Sequence, residues 1–440
     1  MSTAYQNLTP AQLREEYAAV KAQFDALKAK ELKLNMARGK PGKEQLDLVS
    51  GILSILKTPE DCISGGVDAR NYGELSGLKE AKEYWADVLG CKPEECFIGG
   101  NASLTLMYDL VSKGYTHGLA RSEKPWCRLD TVKWLCPAPG YDRHFKITES
   151  FGFELITIPM TPTGPDMDKV EEAVKDPAVK GMWCVPKYSN PDGIIYSDET
   201  IARIAALKPA APDFALMWDN AYCIHEFDGE FVPFRDILTL CREAGNDGMV
   251  YEFASTSKVT LPGAGFSVMA TNEDNQAYLQ KLIGIQTISY DKVNSLRHVR
   301  FLKDKAHTLE LMKQHAAILN PKFQCVLRHL DTEIAPLGIA SWQRPKGGYF
   351  VSVNTAPGLA KRTLALCKEA GVVMTSAGAT FPYGRDPQDS NIRIAPSFAS
   401  AEEIEPAARL FTICVRLATL EKLAATRFAS ETAFGAERIA

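Results

Sequence analysis

The sequence predicts an α/β protein in which a large domain holds a mainly parallel mixed sheet and a smaller domain is α+β. Short apolar runs alternate with helical patterns through the middle of the chain, which is typical of a sheet covered by helices on both faces. The chain has 440 residues, which is too long for one small core. We predict a large domain over residues 51–315 and a small domain that combines residues 1–50, an N-terminal helix and arm, with residues 316–440.

The N-terminal segment contains a helix start signal. Thr9 supplies a capping hydroxyl, Pro10 suits the first helical position, and Gln12 completes a capping box. Apolar residues then recur at spacings of three and four, so we expect this helix to bury one stripe. A basic, glycine-containing loop over residues 35–42 connects the helix to the rest of the chain.

One junction has the pattern of an anion-binding turn. An apolar run at residues 96–98 is followed by Gly99, Gly100, Asn101, Ala102 and Ser103, where a helical pattern begins. A strand that leads into a helix N-terminus gathers free backbone N–H groups and the positive end of the helix dipole, which suits a phosphate. A double glycine also forms an ordinary tight turn, and the residues alone leave both interpretations open.

Polar residues follow the other apolar runs of the predicted large domain. We predict strands at residues 131–135, 153–158, 182–185, 214–218 and 250–254. Tyr141, Asn190, Asp219 and Lys258 each follow the end of a different strand. Ligands of open parallel sheets bind outside the carboxyl ends of the strands, so these four side chains are expected to meet in one crevice.

The pattern changes to α+β after about residue 290. One basic helix is predicted from Lys292 toward Leu319, followed by a strand over residues 348–353 and a helix over residues 364–370. A further strand is predicted at residues 391–394, and a last helix contains Ile404 and Cys414. These elements are expected to pack with the N-terminal helix.

The composition excludes several classes of partner. The net charge is −4, from 50 basic and 54 acidic residues, so nothing favours binding to nucleic acid. Eleven scattered cysteines without a C-x-x-C pair predict reduced thiols and no metal ion, with Cys136, Cys184, Cys223 and Cys414 buried. Neither a signal-peptide pattern nor an apolar run long enough to cross a bilayer is present, so we predict a cytoplasmic protein without membrane contact.

Lys258 lies in the segment around which the predicted crevice is organised. Ser255 and Ser257 lie between the predicted strand and Lys258. Gly263 and Gly265 are expected to let the backbone turn sharply after it. Burial disfavours the ammonium form, and a neutral lysine amine can form a Schiff base with an aldehyde. A surface lysine in a strand-to-loop turn has the same local pattern, and this alternative stays open.

The residues expected at the crevice match the needs of one cofactor, pyridoxal phosphate. A lysine binds its aldehyde and moves a proton, a carboxylate such as Asp219 keeps the pyridine nitrogen protonated, and an aromatic ring stacks on it. A helix N-terminus binds its phosphate. Each residue also has a structural explanation, since Asp219 can cap a turn and Tyr222 can belong to the core, but their combination favours the cofactor.

Several motifs resemble those of the class I/II aminotransferases of fold type I. They are Tyr72-Gly73, Gly99-Gly100-Asn101-Ala102-Ser103, Asn190-Pro191-Asp192-Gly193, Asp219-x-x-Tyr222, Ser255-x-Ser257-Lys258 and Asn391-Ile392-Arg393. Their order and spacing hold from about residue 30 to residue 400, so the resemblance covers most of the chain. It implies the PLP-dependent transferase fold type I, a homodimer with shared active sites, and pyridoxal 5'-phosphate as the cofactor.

The resemblance also implies roles for individual residues. It makes Lys258, Asp219 and Tyr222 catalytic. It places the cofactor against Asn101, Ala102, Ser103, Tyr141, Asn190, Asp219, Tyr222, Ser255, Ser257, Lys258 and Tyr72 of the partner subunit. It places the substrate against Arg38, Gly39, Asn190 and Arg393, with the Arg393 guanidinium holding the α-carboxylate as a bidentate pair.

The chain looks most like a divergent bacterial branch of aspartate aminotransferases, through residues 37–41 and 255–265. It departs from the usual family pattern at residues 264–266, where Ala-Gly-Phe replaces the segment that supplies an arginine to the cofactor phosphate. Either another cation replaces that arginine, or hydroxyls and backbone amides hold the phosphate. Arg297 on the predicted basic helix is a candidate cation.

We therefore predict an aminotransferase that moves the amino group of an amino acid, with L-aspartate as the first candidate, to 2-oxoglutarate by a ping-pong mechanism. The alternatives are a PLP-dependent C–S β-lyase and an aminotransferase for an aromatic amino acid or 2-aminoadipate. A transcription regulator built on the same domain needs an added DNA-binding region, for which the roughly 30 residues before the matching part are too few. A nicotinamide-binding enzyme is disfavoured because no G-x-G-x-x-G follows the first strand.

Overall fold

A computed structural model describes residues 4–428, so residues 1–3 and 429–440 of the predicted small domain lie outside the described range. The helices are α1 (Pro10–Lys28), α2 (Lys43–Leu48), α3 (Lys79–Leu89), α4 (Ser103–Thr116), α5 (Asp142–Ser150), α6 (Met167–Ala173), α7 (Asp198–Ala205), α8 (Ile237–Glu243), α9 (Glu273–Gln286), α10 (Lys292–Leu302), α11 (Lys305–His329), α12 (Ala360–Glu369) and α13 (Ala401–Phe428). The strands are β1 (Leu34–Asn35), β2 (Ile63–Ser64), β3 (Val67–Asp68), β4 (Cys96–Ile98), β5 (Lys133–Ala138), β6 (Glu154–Thr161), β7 (Gly164–Pro165), β8 (Val179–Cys184), β9 (Ala215–Asp219), β10 (Val250–Ser255), β11 (Ser267–Ala270), β12 (Ala340–Trp342), β13 (Val351–Thr355), β14 (Val372–Val373) and β15 (Asn391–Ile394).

An eight-stranded sheet forms the centre of the molecule, with the strand order β4-β11-β10-β9-β8-β5-β6-β7. The strands from β10 to β6 are parallel, whereas β11 and β4 at one edge and β7 at the other are antiparallel to their neighbours. This order confirms the predicted α/β class with a mainly parallel mixed sheet. Because β9 and β10 are parallel neighbours, their carboxyl ends lie side by side.

Both faces of the sheet are buried, which explains why its strands read as continuous apolar runs. Along β9, Leu216 and Trp218 belong to the core on one face, and Ala215 and Met217 belong to the core on the other. Helices cover both faces, as the alternation of apolar runs and helical patterns predicts. The predicted strands are all present, with ends that differ by a few residues.

The two ends of the chain share a separate hydrophobic core. Helix α1 begins with the predicted Thr9 capping box and packs against α13. Strands β12, β13 and β15 form an antiparallel sheet, and β1 pairs in parallel with β14. Helix α11 links the two regions, because Met312 belongs to the core of the large sheet and Leu319 to the core of the chain ends. The domain boundaries near residues 50 and 315 stay a prediction.

The prediction of one basic helix from Lys292 toward Leu319 is wrong. The structure has two helices there, because Lys303 takes a positive φ of 63° and ends α10. Asp304 then caps α11 by accepting a hydrogen bond from the His307 N–H at 2.8 Å. The aspartate is a helix start signal that the continuous basic pattern conceals.

The four cysteines predicted to be buried, Cys136, Cys184, Cys223 and Cys414, are buried and free. No helix in the described part of the chain is both long and apolar enough to cross a membrane. The carboxyl ends of the parallel strands lie at one edge of the central sheet. Ligands of such sheets bind in the crevice at this edge.

Candidate active site

Neighbouring strands bring Asp219 and Lys258 together. Asp219 is the last residue of β9 and lies opposite Phe253 of β10 in the parallel ladder. Lys258 follows the end of β10 by three residues, and its Nζ lies 4.9 Å from the ring centroid of Tyr222. The sequence prediction that these strand ends supply side chains to one crevice therefore agrees with their positions.

The setting of Lys258 favours its neutral amine. Burial lowers the pKa of Lys258, and the negative charge of Asp219 opposes part of that shift. The ring of Tyr349 lies on another side, 6.0 Å from the amine. A lysine with a lowered pKa beside a carboxylate and two aromatic rings is able to act as a nucleophile and as a proton carrier.

Asp219 has one bonded and one unpaired carboxylate oxygen. Its Oδ2 accepts a hydrogen bond of 2.9 Å from His144 Nε2, since a carboxylate can only accept. Its Oδ1 is buried and has no hydrogen-bond partner among residues 4–428. The His144 ring stacks on Trp183 with a centroid distance of 4.4 Å and an interplanar angle of 10°. An oriented carboxylate with a free oxygen suits a donor that arrives with a ligand.

His144 is absent from the predicted site because it lies within a helix. It belongs to α5, three residues after Tyr141, which precedes the helix and meets the imidazole edge-on at 4.9 Å. Tyr141, His144 and Asn190 line one small cavity beside Asp219. The only sequence signal for His144 is its spacing from Tyr141, which places both at the first turn of the same helix.

Burial raises the pKa of both candidate tyrosines. The pKa of Tyr141 rises to about 12, chiefly by desolvation, and the pKa of Tyr222 is also raised well above its ordinary value for the same reason. Both phenols therefore stay protonated at neutral pH and are able to donate hydrogen bonds. Tyr222 is 2% exposed, so its hydroxyl needs a partner inside the crevice.

The glycine turn after β4 leads directly into helix α4. The N-cap residue, Ala102, has no side chain that can bond the first N–H groups of the helix, and Ser103 begins it. Asn101 links this turn to the loop after Lys258, since its Oδ1 accepts a 2.7 Å hydrogen bond from Gly265 N–H. Its Nδ2 donates to Pro262 O at 3.2 Å. The uncapped helix N-terminus is therefore fixed beside the lysine loop.

Gly265 is required for a close approach rather than for an unusual backbone angle. The chain turns as expected, with Ala264 N–H bonded to Leu261 O at 3.0 Å, but neither Gly263 nor Gly265 has a positive φ. A Cβ at Gly265 would lie 3.0 Å from Asn101 O and 3.1 Å from Thr256 Oγ1. The glycine thus allows the phosphate-type turn and the lysine loop to pack together.

Ser255 and Ser257 complete this end of the crevice. The Ser255 hydroxyl donates to Ser257 Oγ at 3.0 Å, and both side chains are half-buried. Ser255 is the last residue of β10, so its hydroxyl is positioned by the ladder itself. The two hydroxyls offer an anion a second set of donors.

Arg393 lies on β15 and presents one edge of its guanidinium without strong partners. Its Nη1 donates to Asp142 Oδ1 at 2.9 Å and to Asn190 Oδ1 at 3.1 Å. Its Nη2 makes only a 3.4 Å contact with Thr375 Oγ1, and its buried Nε has no partner in the described range. The Nε–Nη2 edge is therefore available for a carboxylate, which such an edge binds through two parallel hydrogen bonds.

The loop that contains Gly39 packs against Arg393. The guanidinium lies 4.8 Å from the ring centroid of Phe350, and a Cβ at Gly39 would lie 2.4 Å from Phe350 Cζ. Thr375, which contacts Arg393, donates to Ala37 O at 2.7 Å. Only glycine fits at residue 39 while the ring keeps its position. The neighbouring Arg38 side chain, predicted to contact substrate, is exposed.

A buried polar network supports the backbone of Lys258. The Tyr349 hydroxyl donates to Lys258 O at 3.3 Å, and Gln45 Nε2 donates to Tyr349 at 2.9 Å and to His315 Nδ1 at 3.0 Å. Because that nitrogen accepts, the His315 proton is on Nε2, which donates to Val259 O at 3.0 Å. These residues come from distant segments, so the sequence gives no signal for the network.

Tyr72 lies apart from the other predicted residues of its own chain. Its side chain is 78% exposed, and the next residue accepts a hydrogen bond from Lys292 Nζ to Gly73 O at 2.9 Å. Two large apolar side chains at the end of α9 are also exposed, Ile285 at 85% and Ile288 at 61%. The Tyr72 side chain is therefore directed to solvent, and among the described residues it makes no hydrogen bond or ring contact with the other predicted site residues.

Comparison with known proteins agrees with this architecture. The family model described as aspartate amino-transferase matches residues 8–427. An aspartate aminotransferase of Corynebacterium glutamicum is 45% identical over 92% of this chain and 94% of its own, and a putative aminotransferase of Mycolicibacterium smegmatis is 46% identical over 96% and 99%. The crystal structure of an aspartate transaminase from C. glutamicum superposes with a TM-score of 0.93 at 44% identity, covering 96% of this chain and 100% of that one. The chain therefore belongs to the aspartate amino-transferase family and is an aminotransferase with the architecture of PLP fold type I.

Proposed function

We propose that the protein is a pyridoxal-phosphate-dependent aminotransferase that moves the amino group of L-aspartate to 2-oxoglutarate. The observation that carries the proposal is the pair of unpaired buried atoms in the crevice, Asp219 Oδ1 and Arg393 Nε. One accepts hydrogen bonds and the other donates them, and Lys258, whose pKa is lowered, is near Asp219. A cationic ligand nitrogen beside Asp219 Oδ1 and a ligand carboxylate beside Arg393 Nε would supply the missing hydrogen-bond partners.

The residues present fit pyridoxal phosphate. Asp219 Oδ1 is suited to the protonated pyridine nitrogen, and the phenol of Tyr222 with the amide of Asn190 to the ring oxygen. Tyr141 offers an aromatic face at the first turn of α5. The uncapped N-terminus of α4 and the hydroxyls of Ser255 and Ser257 suit the phosphate. These residues, together with Lys258 as the aldehyde's partner, would hold the cofactor.

Lys258 performs the proton transfer in the proposed reaction. Pyridoxal phosphate, when bound, supplies a conjugated ring that stores the electron pair released at the substrate Cα and a carbon that receives the amino group. In its neutral form, Lys258 Nζ would accept the proton from the substrate Cα and hold it for return later in the reaction. The neutral form is favoured because burial lowers the lysine pKa.

Asp219 and its histidine hold charge on the other side of the crevice. The bond from His144 Nε2 fixes the orientation of the Asp219 carboxylate, and the stack on Trp183 fixes the histidine. Asp219 thereby keeps a proton on the nitrogen that it faces. Tyr222 stays protonated because its pKa is raised, so it donates a hydrogen bond throughout the reaction.

Arg393 binds and orients the substrate through its α-carboxylate. Asp142 and Asn190 hold the Nη1 side of the guanidinium, so the Nε–Nη2 edge receives the carboxylate in one orientation. The close contact between Gly39 and Phe350 brings the residue 39 backbone to the same place. Every amino acid and 2-oxo acid shares this group, which lets one crevice accept both substrates in turn.

The choice of aspartate rests on the relatives. A relative 45% identical to this chain is an aspartate aminotransferase, whereas one 26% identical is a 2-aminoadipate transaminase. A dicarboxylate substrate needs a second cation. The sequence offers four candidates for it, Arg38, Lys40, Lys292 and Arg297. Lys40 Nζ packs 3.9 Å from the Phe398 ring centroid, Lys292 is bonded to Gly73 O, and Arg38 is exposed. Arg297, whose Nε is buried without a partner in the described range, is the candidate for the cofactor phosphate instead. We therefore expect the distal carboxylate to contact Arg38 or a residue of the partner subunit.

An amino-acid panel tests the substrate assignment. Initial rates with 2-oxoglutarate should be highest for L-aspartate, and double-reciprocal plots at several oxo-acid concentrations should be parallel, as a ping-pong mechanism requires. Faster turnover of 2-aminoadipate or an aromatic amino acid would replace aspartate as the substrate. A C–S β-lyase would instead release pyruvate and ammonia from a cysteine conjugate without leaving the amino group on the cofactor.

Reductive trapping tests the cofactor assignment separately. Treatment of the purified protein with borohydride, followed by peptide mapping, should find the pyridoxyl label on Lys258. Lys258→Ala should still bind the cofactor without a covalent bond and should lose transamination. A label on another lysine would show that Lys258 is not the cofactor residue, whatever the amino-acid preference.

We further propose a homodimer in which Tyr72 reaches the partner's site, within a cytoplasmic enzyme whose cysteines are reduced. Tyr72, Ile285 and Ile288 form an exposed apolar patch, since α9 lies against the loop that follows Tyr72: a Cβ at Gly284 would lie 3.4 Å from Leu75. A second copy would cover this patch. The exposed phenol then has a ligand to contact across the interface.

Subunit mixing tests the shared site. Tyr72→Phe should weaken cofactor retention, and Lys258→Ala homodimers should be inactive. In a mixed dimer, the site with Lys258 receives Tyr72 from the Lys258→Ala subunit and should regain normal cofactor affinity. If that affinity does not change after verified subunit exchange, Tyr72 does not act across the interface.

A further inference from the structure

Helices α11 and α13 bring three side chains of metal-ligand type together, away from the crevice. Cys325 and His329 lie one turn apart on α11, and Glu405 lies on α13. Cys325 Sγ donates to Glu405 Oε2 at 3.1 Å, and His329 Nε2 is 2.9 Å from Glu405 Oε1. The ligand atoms of all three residues lie within 4.8 Å of one another. No residue of this cluster takes part in the proposed transamination.

We propose that Cys325, His329 and Glu405 bind a Zn²⁺ ion. Thiolate, imidazole and carboxylate are its usual protein ligands, and bonds of about 2.0–2.3 Å at tetrahedral angles place ligand atoms roughly 3.3–3.6 Å apart. The 2.9 Å between His329 Nε2 and Glu405 Oε1 is already close to that spacing, and the ligand atoms of all three residues, which lie within 4.8 Å of one another, need to move together by about 1 Å. A cysteine and a histidine four residues apart on a helix face the same side, so α11 already presents two ligands in register.

A second layer of hydrogen bonds orients the histidine as zinc sites require. His329 Nδ1 lies 2.6 Å from Glu333 Oε1, and Thr412 donates to Glu333 Oε2 at 2.5 Å. Glu333 thereby holds the Nδ1 proton, and Nε2, which donates to Glu405 while no ion is bound, is the nitrogen that would bind the ion once its own proton has left. A carboxylate on the distal nitrogen of a ligating histidine sets its tautomer and raises its basicity. This arrangement distinguishes the cluster from an ordinary surface ion pair.

The charges around the cluster balance when zinc is bound. Arg328 also contacts Glu405 Oε2 and lies 3.7 Å from Cys325 Sγ. With Glu405 Oε1 on the metal, Oε2 remains with Arg328. Two positive charges on zinc and one on Arg328 then face three negative charges, on the Cys325 thiolate, Glu333 and Glu405. The arginine is exposed, so solvent screens its repulsion of the ion.

Zinc binding must release the thiol proton. The thiolate is the form of cysteine that binds a metal ion, so the Zn–S bond replaces the S–H bond of Cys325 and the proton leaves to solvent. The affinity should consequently increase with pH.

The position of the cluster suggests what the ion does. A groove of about 430 Å³ beside the cluster is lined by Pro321, Gln324, Ala401 and Ile404 as well as by two of the ligands, Cys325 and Glu405. Water from this groove would complete the tetrahedron. The ion would join α11, which spans both hydrophobic cores, to α13, so it would tie the C-terminal helix to the helix that links the two regions. We assign it a stabilising role.

Calorimetric titration of the holoenzyme with Zn²⁺ tests the proposal. Chelator-treated, cofactor-loaded protein should bind about one Zn²⁺ per chain with a dissociation constant in the micromolar range or tighter. Cys325→Ser and His329→Gln should each weaken binding at least tenfold. Glu333→Gln, which leaves all three ligands in place, should weaken binding about 10–100-fold. Titrations in buffers of different ionisation enthalpy should show release of at least one proton.

Matched controls separate a built site from non-specific binding. Cys127→Ser removes an exposed free cysteine and His307→Gln an exposed histidine paired with Asp304, so neither should change the stoichiometry. Co²⁺ in place of Zn²⁺ should give a thiolate charge-transfer band that Cys325→Ser abolishes and Cys127→Ser retains. Stoichiometric binding that is unchanged by Cys325→Ser and His329→Gln, or no binding at micromolar Zn²⁺, overturns the proposal. Unchanged circular dichroism and cofactor content would show that each variant is folded.

Discussion

Two carboxylates in neighbouring strands are equally buried and yet have different surroundings. Asp219 ends β9, and Glu252 lies in β10, opposite Trp218, the residue before Asp219. Each is at most 3% exposed, and each has one hydrogen-bonded oxygen and one without a partner among residues 4–428. They lie on opposite faces of the sheet, since side chains alternate along a strand. Burial and an unpaired atom therefore do not distinguish them.

Their charged neighbours distinguish them. Asp219 faces the amine of Lys258 and the N–H of His144. Glu252 accepts one hydrogen bond, from Asn220 Nδ2 at 2.9 Å, and burial raises its pKa to about 8, with the charges of Asp236 and Glu95 adding to the shift. Asn220 Oδ1 is unpaired as well, so a proton on Glu252 would let the acid and the amide pair with each other. An unpaired buried carboxylate oxygen therefore indicates a ligand only where basic groups lie around it, as they do around Asp219, and not where the neighbouring charges have the same sign, as they do around Glu252.

Neutralising both carboxylates gives the largest expected contrast. Asp219→Asn keeps the shape of the side chain and removes the charge that holds a proton on the cofactor nitrogen, so kcat should fall roughly 10²–10³-fold with cofactor saturating. Glu252→Gln should leave kcat within about twofold, because Glu252 is already neutral near pH 7. Steady-state assays at pH 7 measure both. Near wild-type turnover in Asp219→Asn would reduce Asp219 to a structural residue.

Asp219 and Lys258 show which parts of the site can be predicted from the sequence. Each follows from a local pattern, since one apolar strand ends at Asp219 and another ends shortly before Lys258. The topology of a parallel sheet then brings the two strand ends together. His144, Tyr349 and the Asp142 that pairs with Arg393 reach the site by packing between distant segments, and no local pattern reports such contacts.

Element boundaries show the same limit. A basic stretch reads as one helix, although Asp304 starts a new one after Lys303. The sequence likewise identifies Gly39 as a site residue without revealing the reason, which is the Phe350 ring against it. Positions set by periodicity are therefore predictable, whereas contacts set by tertiary packing are not.

The pH dependence of the free energy of unfolding provides a second test of the difference between Glu252 and Asp219. The pKa of Glu252 is about 8 in the folded protein against 4.5 for an unperturbed glutamate. The neutral form contributes stability that is complete below about pH 4.5 and is lost as pH rises toward 8. Glu252→Gln avoids that loss, so its stability relative to wild type should increase by roughly 2–3 kcal/mol between pH 6 and pH 9.

Urea midpoints at fixed protein concentration and cofactor loading measure this change. Asp198→Asn provides an exposed control at the start of α7 and should show no comparable dependence on pH between 6 and 9. If the difference between Glu252→Gln and wild type is constant over this range, then Glu252 is ionised in the folded protein and the contrast with Asp219 fails.

Arg393 extends the comparison to a buried cation. Its free Nε–Nη2 edge is expected to bind the α-carboxylate through two hydrogen bonds, and lysine can reproduce the charge but not the second bond. Arg393→Lys should therefore lose about 1.5 kcal/mol, or roughly tenfold in kcat/KM, for every amino acid and oxo acid. Arg385→Lys, at an exposed position, is the control. A loss confined to dicarboxylates would move the arginine's role to the distal group.

Arg297 has a further buried atom without a partner among residues 4–428, and its surroundings decide whether that atom indicates a ligand, as at Asp219, or does not, as at Glu252. Its Nε is buried and lacks a partner in the described part of the chain. One turn earlier on α10, Asn294 donates to Gly265 O at 2.7 Å, and Gly265 in turn bonds Asn101 of the proposed phosphate turn. Residues three apart on a helix share a face, so Arg297 is placed to supply the charge that residues 264–266 lack.

Pyridoxal phosphate and pyridoxal differ by the phosphate alone, so a comparison of their affinities tests whether Arg297 faces that group. If Arg297 faces the phosphate, Arg297→Gln should weaken pyridoxal phosphate binding to the apoenzyme by about 1 kcal/mol, or roughly fivefold, and leave pyridoxal binding unchanged. Arg300→Gln, on the same helix and paired with Glu80, should change neither affinity. Fluorescence titration measures all six dissociation constants, for wild type and both variants with each ligand. Equal weakening of both ligands would mean that Arg297 acts on the fold of the loop, and an unchanged affinity for both would place its unpaired Nε with the core atoms, which indicate no ligand.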